Sequence, residues 1–259
     1  MANSTGGVLY PARLPQFHRL PAVGQVAELV AWFWIPEWDV EPGHTSRQEI
    51  VGYPALNLVV EQDGVTLSGA TTRASHRDLR GHGWAVGALL RPAAVGALID
   101  DPASLVDHMR TLDEPALHAE VTRAMATGEG HRDRAVSVFS HWLVDRVGAP
   151  TDAARLANAM AEALAGDGGA LTPAEAATRL AVSVRTLERM AHRSVGISPA
   201  AMIRRRRLQD AAQLVRDDPG ADLSTIAAEL GYADHAHLTR DFRAVLGIAP
   251  RTYRADVEE

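Results

Sequence analysis

The sequence contains no cysteine and no lysine. Without cysteine the protein has no disulfide, zinc ribbon, iron–sulfur cluster or thiol nucleophile. No stretch approaches the roughly 18 uninterrupted apolar residues of a membrane-spanning helix. The first 20 residues also lack an apolar segment of signal-peptide length. We therefore expect a soluble protein of the cytoplasm that has no membrane partner.

Aromatic residues are scarce and unevenly placed, because all five tryptophans precede residue 150. Charge is uneven as well: residues 1–166 contain 13 arginines and 19 acidic residues, whereas residues 179–254 contain 13 arginines and eight acidic residues. A chain of 259 residues with 46% hydrophobic and 22% charged residues is an ordinary globular protein, long for one domain. We expect two domains, of which the second suits an anionic partner.

The first part of the chain has the pattern of an α+β domain. From about residue 26 to residue 90, short apolar runs alternate with turn signals, and Asp63-Gly64 between two such runs predicts a hairpin. A small antiparallel sheet or barrel is expected there, followed by helices that include residues 102–109. The Gly-Ala-Pro break at 148–150 divides the chain into predicted domains at 1–148 and 151–259.

The second part contains an internal repeat. Gly-Ile-Ser-Pro at 196–199 recurs as Gly-Ile-Ala-Pro at 247–250, and each copy follows two short helices that meet at a tight turn. A helix predicted over 199–216 joins the copies and spans roughly 27 Å. The expected helix N-caps are Thr172, Ser183 and, in the second copy, Ser224. The pattern predicts an all-α domain with two helix-turn-helix motifs.

These segments resemble the C-terminal DNA-binding domain of the AraC/XylS family of bacterial transcription regulators. The resemblance covers about 171–254 and is carried by the residues at 183–189, 196–199 and 226–243 and by the closing stretch 247–254. It implies sequence-specific binding to double-stranded DNA and activation through contact with RNA polymerase. It also implies an N-terminal domain that senses a small-molecule effector or forms a homodimer.

The resemblance places the recognition helices at 184–193 and 234–245. The residues expected to meet base edges are Arg185, Thr186, Arg189, His235, His237, Thr239 and Arg240. The residues expected to meet phosphates are Arg193, Arg204, Arg205, Arg243, Arg251 and Arg254. Two alternatives stay open. Arg189 and Arg240 could instead pair with Glu188 or Asp241, and Arg207 could be structural.

The N-terminal domain gives weaker signals. Trp32, Trp34 and Trp84 could converge on a pocket for a planar or apolar effector, or could be ordinary core or dimer-interface residues. Four of its histidines, His18, His44, His76 and His82, show no metal-ligand spacing. No catalytic constellation stands out, so we expect no metal, no cofactor and no enzyme activity.

Two other functions remain open at this point. In one, the N-terminal domain is an enzyme or a small-molecule-binding module that the helix-turn-helix pair tethers to DNA. In the other, a protein partner, not a metabolite, controls the regulator.

Overall fold

The computed structural model describes residues 16–50, 52–166 and 168–258, so residues 1–15 of the predicted first domain lie outside this description. The N-terminal region is rich in strands. Its strands are β1 (Gln16–Pro21), β2 (Val30–Asp39), β3 (Ser46–Ile50), β4 (Asn57–Glu61), β5 (Gly64–Ser68), β6 (Ser75–Leu79), β7 (His82–Leu90) and β8 (Met109–Leu112). Its helices are α1 (Pro92–Val95), α2 (Pro115–Met125) and α3 (His131–Val147), with 3₁₀ turns at Gly24–Glu28 and Pro102–Leu105.

Six strands form one antiparallel sheet in the order β1-β2-β7-β4-β5-β8, and β3 pairs with β6 in a separate ribbon. The α+β prediction is confirmed, and the hairpin expected at Asp63-Gly64 joins β4 to β5. Because β1 and β8 are the two edges, the sheet is open and does not close into a barrel.

Helices α2 and α3 cover one face of the sheet. Phe33 and Ile35 point from β2 towards these helices, and Phe139 of α3 meets the Phe33 ring with 5.6 Å between centroids. All three side chains are fully buried. Their burial helps to stabilise this domain, since each large side chain removed from water is worth about 1.5–3 kcal/mol.

The helix predicted over 102–109 is wrong. Only a 3₁₀ turn forms there, and the chain then enters strand β8. Asp107 has a positive φ of 59°, which no continuing helix allows. Its carboxylate accepts hydrogen bonds from the backbone N–H (2.7 Å) and the hydroxyl (2.6 Å) of Thr72. This tertiary bond ends the turn and directs the next residues to the edge of the sheet.

The C-terminal region is all-helical. Its helices are α4 (Asp152–Ala165), α5 (Pro173–Arg179), α6 (Val184–Ser194), α7 (Pro199–Asp217), α8 (Leu223–Glu229), α9 (His235–Leu246) and α10 (Pro250–Glu258). Thr172 and Ser183 cap α5 and α6 as predicted. The predicted cap Ser224 is wrong, because the Asp222 carboxylate accepts the N–H of Thr225. No helix among residues 16–258 that the structure describes is long and apolar enough to cross a membrane.

Two apolar cores lie side by side in this region. The first joins α4, α5, α6 and the start of α7 around Leu187 and Ile203. The second joins the rest of α7 to α8, α9 and α10 around Phe242 and Tyr253. Helix α7 therefore contributes to both cores and connects the two units rigidly.

The N-terminal domain packs against both units. Ala70 is buried in the first core, and the backbone of Gly196 lies against Ala103. The N–H of Ala74 donates to the carbonyl of Val245, near the end of α9 (2.6 Å). One loop of the sheet domain thus contacts both halves of the helical domain.

Candidate nucleic-acid interface

The first helix-turn-helix unit consists of α5 and α6. Leu187 is fully buried and fills the angle between the two helices, while the Ser183 hydroxyl accepts the N–H of Thr186 (3.1 Å). Arg185, Arg189 and Arg193 are exposed and recur every four residues. They therefore lie along one side of α6.

The second unit consists of α8 and α9. Leu238 fills the corresponding angle, and Asp234 caps α9 by accepting the N–H of His237 (2.7 Å). This hydrogen bond lowers the pKa of the Asp234 carboxyl. Arg240 and Arg243 are exposed on α9. The two units thus present arginines from corresponding helices.

In the part of the chain that the structure describes, the exposed arginines of α6 and α9, together with Arg251 of α10, have no internal partner. This set forms no hydrogen bond or ion pair with the residues that the structure describes, and it comprises Arg185, Arg189, Arg193, Arg240, Arg243 and Arg251. The alternative in which Asp241 neutralises Arg240 is not found, because Asp241 pairs with Arg204 (2.8 Å). Free guanidinium groups donate hydrogen bonds to phosphate oxygens and to the acceptor atoms O6 and N7 on the edge of guanine.

The other residues predicted to contact base edges differ in their exposure to solvent. His235 is exposed at the first turn, whereas His237 is half-buried with its ring edge-on to Tyr232, 5.2 Å between centroids. Thr239 is also half-buried, as is Thr186 of α6, whose hydroxyl lies 2.9 Å from that of Ser183. The structure therefore orders these positions by accessibility, with the arginines and His235 first.

The run of four arginines on α7 divides by environment. Arg204 is exposed and paired with Asp241, and Arg206 is buried near Asp210 (3.5 Å). Arg207 lies over the ring of Tyr232, with 3.7 Å between Cζ and the centroid. The structural alternative for Arg207 is therefore confirmed, since this cation–π contact holds the side chain on the second core.

Arg205 was predicted to bind a phosphate, which requires an exposed guanidinium, but the structure buries this side chain. Its side chain is 3% exposed and binds the N-terminal domain. Nε donates to the carbonyl of Gly52 (2.9 Å), and Nη2 donates to the Thr71 hydroxyl (2.7 Å) and the carbonyl of Arg73 (3.0 Å). Arg205 therefore joins the two domains. Its acceptors belong to the N-terminal domain, so the sequence of α7 alone does not reveal this role.

Arg254 also has an internal partner. Its Nη2 donates to the carbonyl of Ala221 (2.6 Å), which fastens α10 to the segment before α8. The side chain is half-buried. Arg254 therefore stabilises the second unit in this structure, and its predicted phosphate contact requires that bond to be shared or broken.

The predicted tryptophan cluster is only partly assembled. Trp32 and Trp34 share one face of β2, where the Trp34 ring lies on Gly87 and its Nε1 donates to Asn57 (3.1 Å). Trp84 pairs with Glu37 in register and therefore lies on the opposite face, against the core under the helices. The three rings do not line one pocket.

Sequence reasoning missed two aromatic or charged neighbours of this region. Tyr53 packs edge-on against Trp32, 4.7 Å between centroids, and the Arg19 guanidinium lies 4.3 Å from the centroid of Trp32. On the other face, burial would raise the pKa of Glu37, but hydrogen bonds from Arg132 and His131 lower it overall. These partners come from distant segments, so no local pattern could have revealed them.

Two family models match the chain. One, described as a helix-turn-helix domain, matches residues 176–256, which are the two units described above. Residues 176–256 are an AraC-type helix-turn-helix domain. The other, a domain of unknown function (DUF6597), matches residues 7–111. The search of curated proteins gave no match.

The chain is similar to several solved structures. Wild-type ToxT from Vibrio cholerae strain SCE256, bound to an unsaturated fatty acid, is 12% identical, with 86% of this chain and 94% of that chain covered and a TM-score of 0.45. The C-terminal domain of AraT, a response regulator from Geobacillus stearothermophilus, is 25% identical over 40% of this chain and 84% of that chain, with a TM-score of 0.34. The transcriptional regulator CdpR from Pseudomonas aeruginosa is 20% identical over 68% and 46%, with a TM-score of 0.33.

Proposed function

We propose that the protein is a sequence-specific, double-stranded-DNA-binding transcription regulator that responds to an effector. The observation that carries this proposal is the pair of recognition helices, α6 and α9, each presenting arginines without internal partners. A surface that leaves several guanidinium groups unpaired is suited to a polyanion, because each phosphate contact releases a counterion.

The length of α7 supports the use of both units on one duplex. Its 19 residues span roughly 28 Å at 1.5 Å per residue. Successive major grooves on one face of B-DNA lie about 34 Å apart. Helix α7 is part of both cores and is nearly as long as this groove spacing, which supports binding of α6 and α9 in successive major grooves.

The accessible arginines divide into two proposed roles. Arg185, Arg189 and Arg240 read base edges, for which the bidentate pairing of arginine with guanine O6 and N7 is the most specific contact. Arg193, Arg243 and Arg251 bind phosphates and supply affinity without sequence information. Arg204 joins the second group only if DNA displaces its bond to Asp241.

Effector control is supported by the contact between domains. The loop containing Ala70 and Ala74 touches the first core and the end of α9, so a change in the sheet domain reaches both units. Homodimerisation through the N-terminal domain, activation through RNA polymerase and a cytoplasmic location are further parts of this proposal, and they rest on the family resemblance.

The test is selection of DNA fragments by the full-length protein from a genomic library at near-physiological salt. We expect one enriched motif with two half-sites about one helical turn, roughly 10 base pairs, apart. The double variant Arg189→Ala/Arg240→Ala should lose the enrichment, whereas Arg123→Ala, an exposed arginine on α2, should retain it. Equal binding of all fragments by the unmodified protein would contradict sequence-specific regulation.

A further inference from the structure

Helix α6 carries an exposed carboxylate beside its exposed arginines. Leu187 and Ala191 are buried in the first core, which fixes the rotation of α6 about its own axis. The side chains on the outward side of the helix are exposed, and they are Val184, Arg185, Glu188, Arg189, His192 and Arg193. Glu188 is the acidic member of this set, so it lies on the surface that the proposed function assigns to DNA.

Glu188 is not neutralised by the arginines beside it. It lies three residues after Arg185 and directly before Arg189 on the helix. Even so, its carboxylate forms no hydrogen bond or ion pair with any residue that the structure describes. The alternative in which Glu188 pairs with Arg189 is therefore not found. The carboxylate has no partner within the described fold and is free to accept a hydrogen bond from DNA.

A carboxylate on a DNA-binding surface discriminates sharply among bases. It repels phosphates, so it adds nothing to nonspecific affinity. The donors in the major groove are the N4 amino group of cytosine and the N6 amino group of adenine. Adenine presents the acceptor N7 beside its amino group, whereas cytosine presents its amino group alone. Because an ionised carboxylate only accepts hydrogen bonds, cytosine is the base that suits it.

The residue one helical turn before Glu188 is an exposed apolar side chain. Val184 is the first residue of α6 and is 39% exposed, although it is a large hydrophobic residue. Residues four apart lie next to each other on the surface of a helix, so Val184 and Glu188 face neighbouring parts of the groove. The methyl group of thymine is the apolar feature that the major groove offers.

The second recognition helix lacks this pair. The offset of 51 residues between Gly196 and Gly247 also relates Leu187 to Leu238, and it places His235 and Thr239 at the positions of Val184 and Glu188. Thr239 is half-buried, and a hydroxyl both donates and accepts, so it does not single out one base. The two units therefore present different chemistry to their half-sites.

We propose that Glu188 is a specificity-determining residue whose carboxylate accepts a hydrogen bond from N4 of a cytosine in the half-site bound by α6. Val184 lies against the methyl group of a thymine beside that cytosine. This role rests on the proposed function and adds to it the base preference of one half-site. Since α9 has no equivalent pair, the cytosine distinguishes the two half-sites and sets the direction in which the protein lies on the duplex.

The first experiment compares the DNA sequences that the full-length protein and its variants select from a random library. Glu188→Gln keeps the size of the side chain, but the amide pairs bidentately with N6 and N7 of adenine. We expect this variant to prefer adenine where the unmodified protein prefers cytosine, at one position of one half-site. Glu229→Gln removes the same charge at an exposed position of α8 and should select the unmodified motif.

The second experiment measures affinity for defined duplexes. Replacing the cytosine by thymine should weaken binding of the unmodified protein by about tenfold, because thymine presents the acceptor O4 in place of the amino group. Glu188→Ala should bind both duplexes equally. It should also bind a scrambled duplex more tightly than the unmodified protein does, because a repulsive charge is removed. Its thermal unfolding should be unchanged, since Glu188 has no partner among the described residues.

The failure of this proposal differs from the failure of the proposed function. If the unmodified protein enriches a motif and Glu188→Gln and Glu188→Ala enrich the same one, only the role of Glu188 is overturned. Tighter binding of Glu188→Ala to all sequences without a change of motif would assign the carboxylate to charge repulsion alone and would also overturn it. If the unmodified protein enriches no motif, the proposed function fails, and the role of Glu188 fails with it.

Discussion

Gly196 and Gly247 occupy equivalent positions in the two helix-turn-helix units, but only Gly196 is packed against the N-terminal domain. Both have positive φ, 89° and 77°. A Cβ at Gly196 would lie 2.7 Å from the carbonyl oxygen of Pro102, whereas a Cβ at Gly247 would have no neighbour within 4 Å. Substituting alanine at each of the two positions therefore separates the cost of backbone strain from the cost of a clash between the domains.

We expect Gly196→Ala to reduce the free energy of unfolding more than Gly247→Ala does. Both variants carry the left-handed strain of roughly 1–2 kcal/mol. Gly196→Ala adds an overpacking cost of about 1–3 kcal/mol, because the nearest atoms of Pro102 and Ala103 are backbone and cannot rotate away. Urea unfolding of the full-length variants measures the difference. Equal losses would show that the interface yields at no cost.

Ala181 gives the opposite prediction. It ends the turn after α5 with a φ of 52°, where the equivalent residue of the second unit is Gly231, with a φ of 70°. Ala181→Gly should stabilise the protein by about 0.5–1 kcal/mol, because relief of the strain exceeds the extra entropy of the unfolded chain. Gly231→Ala is the reverse control and should destabilise. Loss of stability in Ala181→Gly on urea unfolding would contradict this account.

The assignment of arginines to bases and phosphates is tested on the selected DNA site. Arg240→Ala should relax specificity at one base pair and cost about 1–3 kcal/mol of binding free energy. Arg251→Ala should weaken binding to all sequences and reduce the salt slope by about one. Titrations at several salt concentrations with the selected and a scrambled site distinguish the two. A uniform loss in Arg240→Ala would reassign that residue to a phosphate.

The buried hydroxyl of Tyr232 has no hydrogen-bond partner among the described residues, and burial raises the pKa of Tyr232 to about 12. Tyr232→Phe removes that hydroxyl and keeps the ring under Arg207, so stability at neutral pH should be unchanged or slightly higher. Tyr232→Leu, which removes the cation–π contact, should be destabilising. A marked loss of stability in Tyr232→Phe at neutral pH would mean that the hydroxyl has a stabilising partner.

The raised pKa of Tyr232 also predicts a pH dependence. Above pH 10 the unfolded tyrosine loses its proton while the folded one keeps it, so the folded state binds more protons and stability falls as pH rises towards 12. The decline attributable to this residue is at most about 1.4 kcal/mol per pH unit. It should be absent in Tyr232→Phe, and comparing the two proteins across pH 9–11 cancels every other group. Parallel curves would refute the buried assignment.

The features that the sequence predicted depend on neighbours along the chain. The caps Thr172 and Ser183 and the buried plugs Leu187 and Leu238 follow from spacing within a dozen residues. The two units, the linking helix and the antiparallel nature of the sheet were therefore predictable. The cap of α8 was misplaced by two residues because Asp222 and Ser224 both have side chains that suit the position.

The features that were not predictable depend on distant partners. Arg205 has the sequence environment of a phosphate-binding arginine, and only its acceptors at Gly52, Thr71 and Arg73 reveal its structural role. The face of the sheet on which Trp84 lies depends on how β7 pairs with β2. A shift of that pairing by one residue would move Trp84 to the face that carries Trp34. Asp107 breaks a helix pattern because Thr72, on a separate loop, engages its carboxylate.

Because tryptophan occurs in only one of the two domains, tryptophan fluorescence reports on that domain alone. All five tryptophans lie in the sheet domain, where the rings of Trp34 and Trp38 rest on Gly87 and Gly83, while the aromatic residues of the helical domain are two tyrosines and Phe242. Tryptophan emission therefore follows the melting of the sheet domain, and far-ultraviolet dichroism follows chiefly the helices. Coincident transitions would mean that the Arg205 junction makes the two domains one cooperative folding unit, and separate transitions would mean that the domains unfold independently despite that junction.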